Sequence, residues 1–162
     1  SARTMTSSVL HVVGEVVGKP RPRFTSYGGR VRTFTPKKGE TFESLVRVAY
    51  QAQGGTMHEG AVEVEIAYRR PMPKSRPKKL EREWDSFKPD IDNVAKAVLD
   101  ALNGVAFGDD KDVVSLKAVK LPRVRCPQEE LYVRISGADE GTESEMEETW
   151  RRFTKSTEQS SR

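Results

Sequence analysis

The chain reads as an α+β protein: a small mixed sheet with two helices packed on one face. Three observations predict this. Residues 61–68, AVEVEIAY, alternate strictly, with Val62, Val64, Ile66 and Tyr68 on one side and Glu63 and Glu65 on the other. Two segments, 41–53 and 91–102, carry apolar residues at three- and four-residue steps. The expected element order is strand, helix, strand, helix, strand, strand, which implies a small α+β sandwich.

Taken in order, residues 1–8 read as a frayed end and a first strand runs from Val9 through Val17. The following KPRPRFTSYGGRVRTFTPKKGE holds prolines and a glycine pair and is expected to be a hairpin-like excursion rich in cations. Thr41 is placed to cap a helix through Gln53, with Phe42, Leu45, Val46 and Ala49 inward and Gly54-Gly55 ending it. After the 61–68 strand, RRPMPKSRPKKLEREWDSFKPD holds four prolines and a run of cations, and it is expected to be a mobile surface loop that orders on a ligand. In the next helix Ile91, Val94, Ala95, Val98, Ala101 and Leu102 form the apolar stripe, with Gly104 as its left-handed stop. Residues 113–121 read as an irregular strand, with LYVRI at 131–135 as its hairpin partner. The expected organisation is a domain over 9–137 and a polar, acidic tail over 138–162, where MEETWRRF forms a short helix docked by Trp150 and Phe153.

Charge narrows the partner. The net charge is +4, from 28 Lys+Arg and 24 Asp+Glu, but residues 138–162 hold four of the basic and seven of the acidic side chains. Residues 1–137 therefore carry 24 against 17, or +7. The cations cluster at Lys19, Arg21, Arg23, Arg30, Arg32, Lys37 and Lys38, and again at Arg69, Arg70, Lys74, Arg76, Lys78, Lys79 and Arg82, which suits a polyanion. A lone Cys126 with His11 and His58 far away in sequence is a poor zinc set, so a hard, oxygen-bound cation fits better. No apolar run approaches the roughly 20 residues of a membrane span and no signal-peptide pattern opens the sequence. A soluble, cytoplasmic protein with no membrane partner is expected.

The stretch KPDIDNVAKAVLDALNGVAFGDDKD, from Lys88 to Asp112, concentrates the chemistry in six acidic side chains and three lysines. With the apolar stripe turned to the core, Asp92, Lys96 and Asp100 lie on the opposite face. Asp90 and Asp92 stand at the helix start, and Asp109 and Asp110 follow a short loop. Converging carboxylates repel unless a divalent cation neutralises them, and Mg²⁺ takes one or two carboxylates plus waters and phosphate oxygens. Metal-assisted phosphodiester hydrolysis is the reaction this donor set suits. Plainer readings exist for each residue. An aspartate at a helix start caps it, which explains one of Asp90 and Asp92 well but both poorly. Lys96 suits a surface ion pair with Asp92 or Asp100 as well as a phosphate contact, Asn93 suits a cap, and Asp109-Asp110 alone suits a turn.

These residues resemble the RusA family of Holliday junction resolvases. KPDIDNVAKAVLDALNGVAFGDD follows that family's D-x-D-N, a lysine three residues after the asparagine, a D-A-L helix end and a double aspartate. GKPRPRF and GGRVRTFTPKKG resemble its N-terminal half, so the likeness spans roughly residues 11–136. The resemblance implies a RusA-like fold and a homodimer that cuts branched DNA, the four-way junction, by paired nicks with Mg²⁺ or Mn²⁺, leaving 5′-phosphate and 3′-hydroxyl ends. By position it implies Asp90, Asp92 and Asp110 as catalytic, metal-binding aspartates, Asp109 as an adjacent ligand and Lys96 as the catalytic lysine. Lys19, Arg21, Arg23, Arg69, Arg70, Lys74, Arg76, Lys78 and Lys79 are the candidate DNA-binding cations. Some members place an aromatic wedge where this chain has Leu99. The competing readings are a non-catalytic protein binding branched or single-stranded DNA, and a small phosphoesterase acting on nucleotides, which has no need of such extended basic segments.

Overall fold

The computed structural model describes residues 6–14, 23–27, 30–34, 41–126 and 128–160. In chain order they form β1 (Ser7–Val13), a hairpin of β2 (Arg23–Tyr27) and β3 (Arg30–Phe34), α1 (Phe42–Ala52), β4 (Val62–Arg69), a short β5 (Arg82–Glu83) and α2 (Ile91–Leu102). A 3-10 turn (Asp110–Asp112) then leads to β6 (Val113–Lys120), a short β7 (Arg123–Val124), β8 (Glu130–Gly137) and α3 (Glu143–Ser160). The main sheet has the order β1-β8-β4-β6 and is mixed: β8 runs antiparallel to both β1 and β4, and β6 runs parallel to β4.

The expected α+β class is what forms, with α1 and α2 packed together on one face. Alternation along β1, β4 and β8 turns Leu10, Val12, Val62, Val64, Ile66, Tyr68, Leu131, Val133 and Ile135 inward, where they are buried. The helices close that layer with Leu45, Val46, Ala49 and Tyr50 of α1 and Val94, Ala95, Val98, Ala101 and Leu102 of α2. Thr41 caps α1 as its spacing predicts, its hydroxyl accepting from the Ser44 N–H at 3.3 Å. Gly104 ends α2 with φ of +78°, a conformation that disfavours a side chain. Gly55 is required for another reason: a Cβ there would lie 2.4 Å from the Tyr50 ring, which fills the space under the turn.

Five expectations need correction. The first strand begins at Ser7, ahead of the expected Val9, and ends at Val13 before a bend at Gly14, while residues 15–17 of the expected span lie outside the described residues. Its inward residues begin with Ser8, whose hydroxyl is satisfied by His58 at 2.9 Å. Residues 131–135 do not form a hairpin with 113–121, because β4 lies between them and pairs with both. The irregular alternation of β6 also has a cause: its register with β4 shifts at Val62/Glu63, so that Val113 and Ser115 are successive partners and Val114 is the extra residue. Ile91 opens the apolar stripe of α2 but stays 42% exposed and outside the core cluster. In the tail, the helix runs for 18 residues and is longer than the short one expected, with Trp150 and Phe153 at 68% and 70% exposed.

The fifth correction concerns residues 69–90. Instead of a loop awaiting a ligand, the segment is tied down by β5, which pairs with β7, and by a set of ion pairs. Four prolines exclude a long strand, but they do not prevent a segment from being held through its side chains.

Candidate active site and the segment that precedes it

α2 buries one side and leaves the other in solvent, so Asp92 and Lys96, four residues apart, project from its open face, and Asp90 occupies the N-cap position. The Asp90 backbone is extended, as a cap residue's is, but its carboxylate makes no capping hydrogen bond. Among the described residues Asp90, Asp92 and Lys96 form no hydrogen bond through their side chains and no ion pair. The plain readings thus lose their structural support: no cap at Asp90, and no pairing of Lys96 with Asp92 or Asp100. Both carboxylates do lie against the positive end of a 12-residue helix, which favours anions. Asn93 is exposed and makes no cap either.

The second acidic pair behaves differently. Asp109 accepts from the Lys111 N–H at 3.1 Å and starts the 3-10 turn, so its turn reading holds. Asp110 is exposed, and its carboxyl is pushed above the usual range by partial loss of hydration and by the charges of Asp100 and Asp109. Among the described residues no three His, Cys, Asp or Glu side chains come together as a metal-holding group. The donors that stand ready are the unpartnered Asp90 and Asp92. They fit the habit of Mg²⁺, which needs one or two carboxylates and draws its remaining oxygens from water and phosphate. Leu99 is half-buried and packs against the core.

The segment leading into Asp90 is anchored by ion pairs whose acids, Glu83 and Asp85, are absent from the candidate set. Asp85 has a side chain with 0% exposure and accepts from Arg70 Nε at 2.7 Å and Nη2 at 2.5 Å. Burial works against the Asp85 charge, but the Arg70 hydrogen bonds and the Arg70 and Lys120 charges outweigh it and hold the carboxyl below its usual range. Lys120, the last residue of β6, lies 3.9 Å from Asp85 and donates to the Phe87 carbonyl. Glu83 accepts from Arg123 and, at 2.8 Å, from Arg76. Arg123 places its guanidinium 4.0 Å from the centre of the Phe87 ring. One sequence signal for this anchor exists: Glu83 and Asp85 are two apart, so in an extended segment they face the same way.

Those ion pairs sort the candidate DNA-binding cations. Arg70 and Arg76 are engaged by Asp85 and Glu83, and Arg69 bonds Glu130 across the β4–β8 ladder. Lys74, Lys78 and Lys79 are exposed and form no ion pair among the described residues. Lys19 and Arg21 lie outside the described residues, and Arg23 begins β2, where the backbone alone is described.

An α+β domain with a four-stranded mixed sheet, two helices on one face and an unpartnered acidic helix start is the class of protein present here. Residues 14–136 match the family model described as endodeoxyribonuclease RusA, so the chain belongs to the RusA family, one of DNA endonucleases. It is also 39% identical over 126 residues to the Bacillus subtilis (strain 168) protein "Uncharacterized protein YqaN", an alignment covering 70% of this chain and 89% of that one. Among the described residues no helix is long and apolar enough to cross a membrane.

Proposed function

We propose that the chain is a divalent-metal-dependent endonuclease, selective for branched DNA, that resolves four-way junctions as a homodimer. The observation carrying this reading is that, in a member of the RusA family, Asp90, Asp92 and Lys96 stand together at the open start of α2 with no partner among the described residues. Charges that a fold leaves unsatisfied beside one another are available to an external cation and to phosphate.

In this reading Asp90 and Asp92 hold Mg²⁺ or Mn²⁺, with Asp110 and Asp109 as further candidate ligands. The ion, when bound, lowers the pKa of water and neutralises charge on the scissile phosphate. Lys96 sits one turn from Asp92 and stabilises the negative charge that grows on the non-bridging oxygens as water adds to phosphorus. The bond from phosphorus to O3′ breaks, O3′ takes up a proton, and the products are a 3′-hydroxyl and a 5′-phosphate. A twofold dimer presents two such sites to a junction of matching pseudo-symmetry, giving paired nicks. The exposed Lys74, Lys78 and Lys79 contact the backbone of the DNA arms.

The test is cleavage of a labelled mobile four-way junction beside linear duplex, with Mg²⁺, with chelator, and with Asp92→Asn. Symmetric nicking of the junction alone, lost with chelator and in the variant, is expected. Tight junction binding without cleavage in either Mg²⁺ or Mn²⁺ would place the chain among non-catalytic DNA-binding proteins.

A further inference from the structure

Trp84 is 71% exposed, yet the chain on both sides of it is held in place. Before it, Glu83 pairs with Arg123 in the β5–β7 ladder and its carboxylate bonds Arg123 and Arg76. After it, Asp85 is buried and bidentate to Arg70. Along residues 82–85 exposure alternates: Arg82 and Trp84 are exposed, Glu83 is half-buried and Asp85 is buried. A large indole in water forgoes burial that the fold elsewhere uses. Phe87, 48% exposed, follows three residues later with the Arg123 guanidinium over its ring. Arg82, Lys78, Lys79 and Lys88 are exposed along the same segment, which leads through Pro89 directly into Asp90.

We infer that Trp84, with Phe87 exposed three residues on, is a stacking platform for an unpaired nucleobase of the DNA strand led toward Asp90 and Asp92, and so a specificity-determining residue. The inference rests on the nuclease reading. A rigid aromatic face among exposed cations matches the repeating chemistry of a single strand, in which every base offers a π-face and every link a phosphate. Duplex DNA keeps its base faces stacked inside the helix and cannot use such a platform; an unstacked base at a branch can. With the flanking residues already anchored, less of the segment has to be ordered on binding. The charged anchor at Asp85 thereby has a purpose beyond stability: it aims the indole.

The experiment uses the full chain carrying Trp150→Phe, which leaves Trp84 as the only one of its two tryptophans. In chelator it is titrated with a labelled oligo-dT, a four-way junction and a blunt duplex, reading DNA anisotropy and indole fluorescence together. Indole quenching by oligo-dT and junction is expected, and none by duplex at equal saturation. Trp84→Ala should weaken oligo-dT and junction binding by about tenfold, leave duplex affinity unchanged, and be rescued by Trp84→Phe. DNA binding with unmoved fluorescence and unchanged Trp84→Ala affinity would overturn the inference while leaving the nuclease reading intact. An equal loss on duplex and single strand would overturn it as well. No binding to any of the three DNAs would overturn both readings.

Discussion

Asp85 and Asp90 are five residues apart and have opposite environments. Asp85 is fully buried, doubly hydrogen-bonded to Arg70 and close to Lys120, while Asp90 is exposed and has no side-chain partner among the described residues. The same division runs through the cations: Arg70, Arg76 and Arg123 are engaged within the protein, whereas Lys78, Lys79 and Lys96 have no such partner among the described residues. The same residue type, aspartate, therefore serves two ends on either side of Pro89. Where both signs are supplied by the chain, the result is an anchor; where a carboxylate is left without a counter-charge, it is open to a cation from outside, as the proposed function requires.

The strongest way to probe this contrast is to remove one carboxylate from each side. Asp92→Asn is expected to lower junction cleavage by at least about a hundredfold, the scale of removing one electrostatic interaction with a transition state, with the melting temperature unchanged. Asp85→Ala should act first on stability. It leaves Arg70 with its buried partner gone and is expected to cost about 3 kcal/mol of stability, measured by denaturant unfolding. A variant at Asp85 as stable as the parent would show that the anchor is dispensable.

Acid should separate the two regions as well. Burial lowers the pKa of His58, whose Nε2 lies 2.9 Å from Ser8 Oγ, so the folded state favours its neutral form. That stabilisation is complete above the unfolded pKa of about 6.5 and is lost as pH falls below it. The Asp85 contribution is complete above its unfolded pKa, about 3.9, and is lost as pH falls further through its depressed folded value. Unfolding free energy measured from pH 8 to pH 3 is expected to fall in these two stages. His58→Asn should flatten the first, and Asp85→Asn the second.

The smallest effect belongs to the exposed lysines. Replacing Lys78 and Lys79 by Gln is expected to reduce the slope of log K against log salt by about one for each phosphate that is no longer neutralised. Stability should stay within about 0.5 kcal/mol. Arg76→Gln, by contrast, should shift stability before it shifts the salt slope, because its charge already faces Glu83.

How much of the molecule is legible in its sequence depends on how far each partner lies along the chain. β4 reads from its own alternation, and both helices read from apolar spacing and caps, because those signals repeat within a turn or two. The pairing of β8 with β1 and β4 does not read, since an alternating strand states which face is buried and not which neighbour it joins. Asp85 looks like one more loop acid; its neutralising partners, Arg70 and Lys120, are 15 and 35 residues away, and only the fold decides that they meet. The Asp90, Asp92 and Lys96 group is legible as a motif on one helix face, while the freedom of those side chains from partners among the described residues is not.

By itself, then, the sequence determined the elements with strong local periodicity, the basic character of residues 1–137 and the acidic motif at the start of α2, all of which rest on spacing and composition. The tertiary structure alone decided the strand order, the bulge at Val114, the burial of Asp85 and the outward setting of Trp84. The physical reason is that a side chain's burial and its counter-charge come from segments brought together by packing, and chain-local patterns carry no record of that choice.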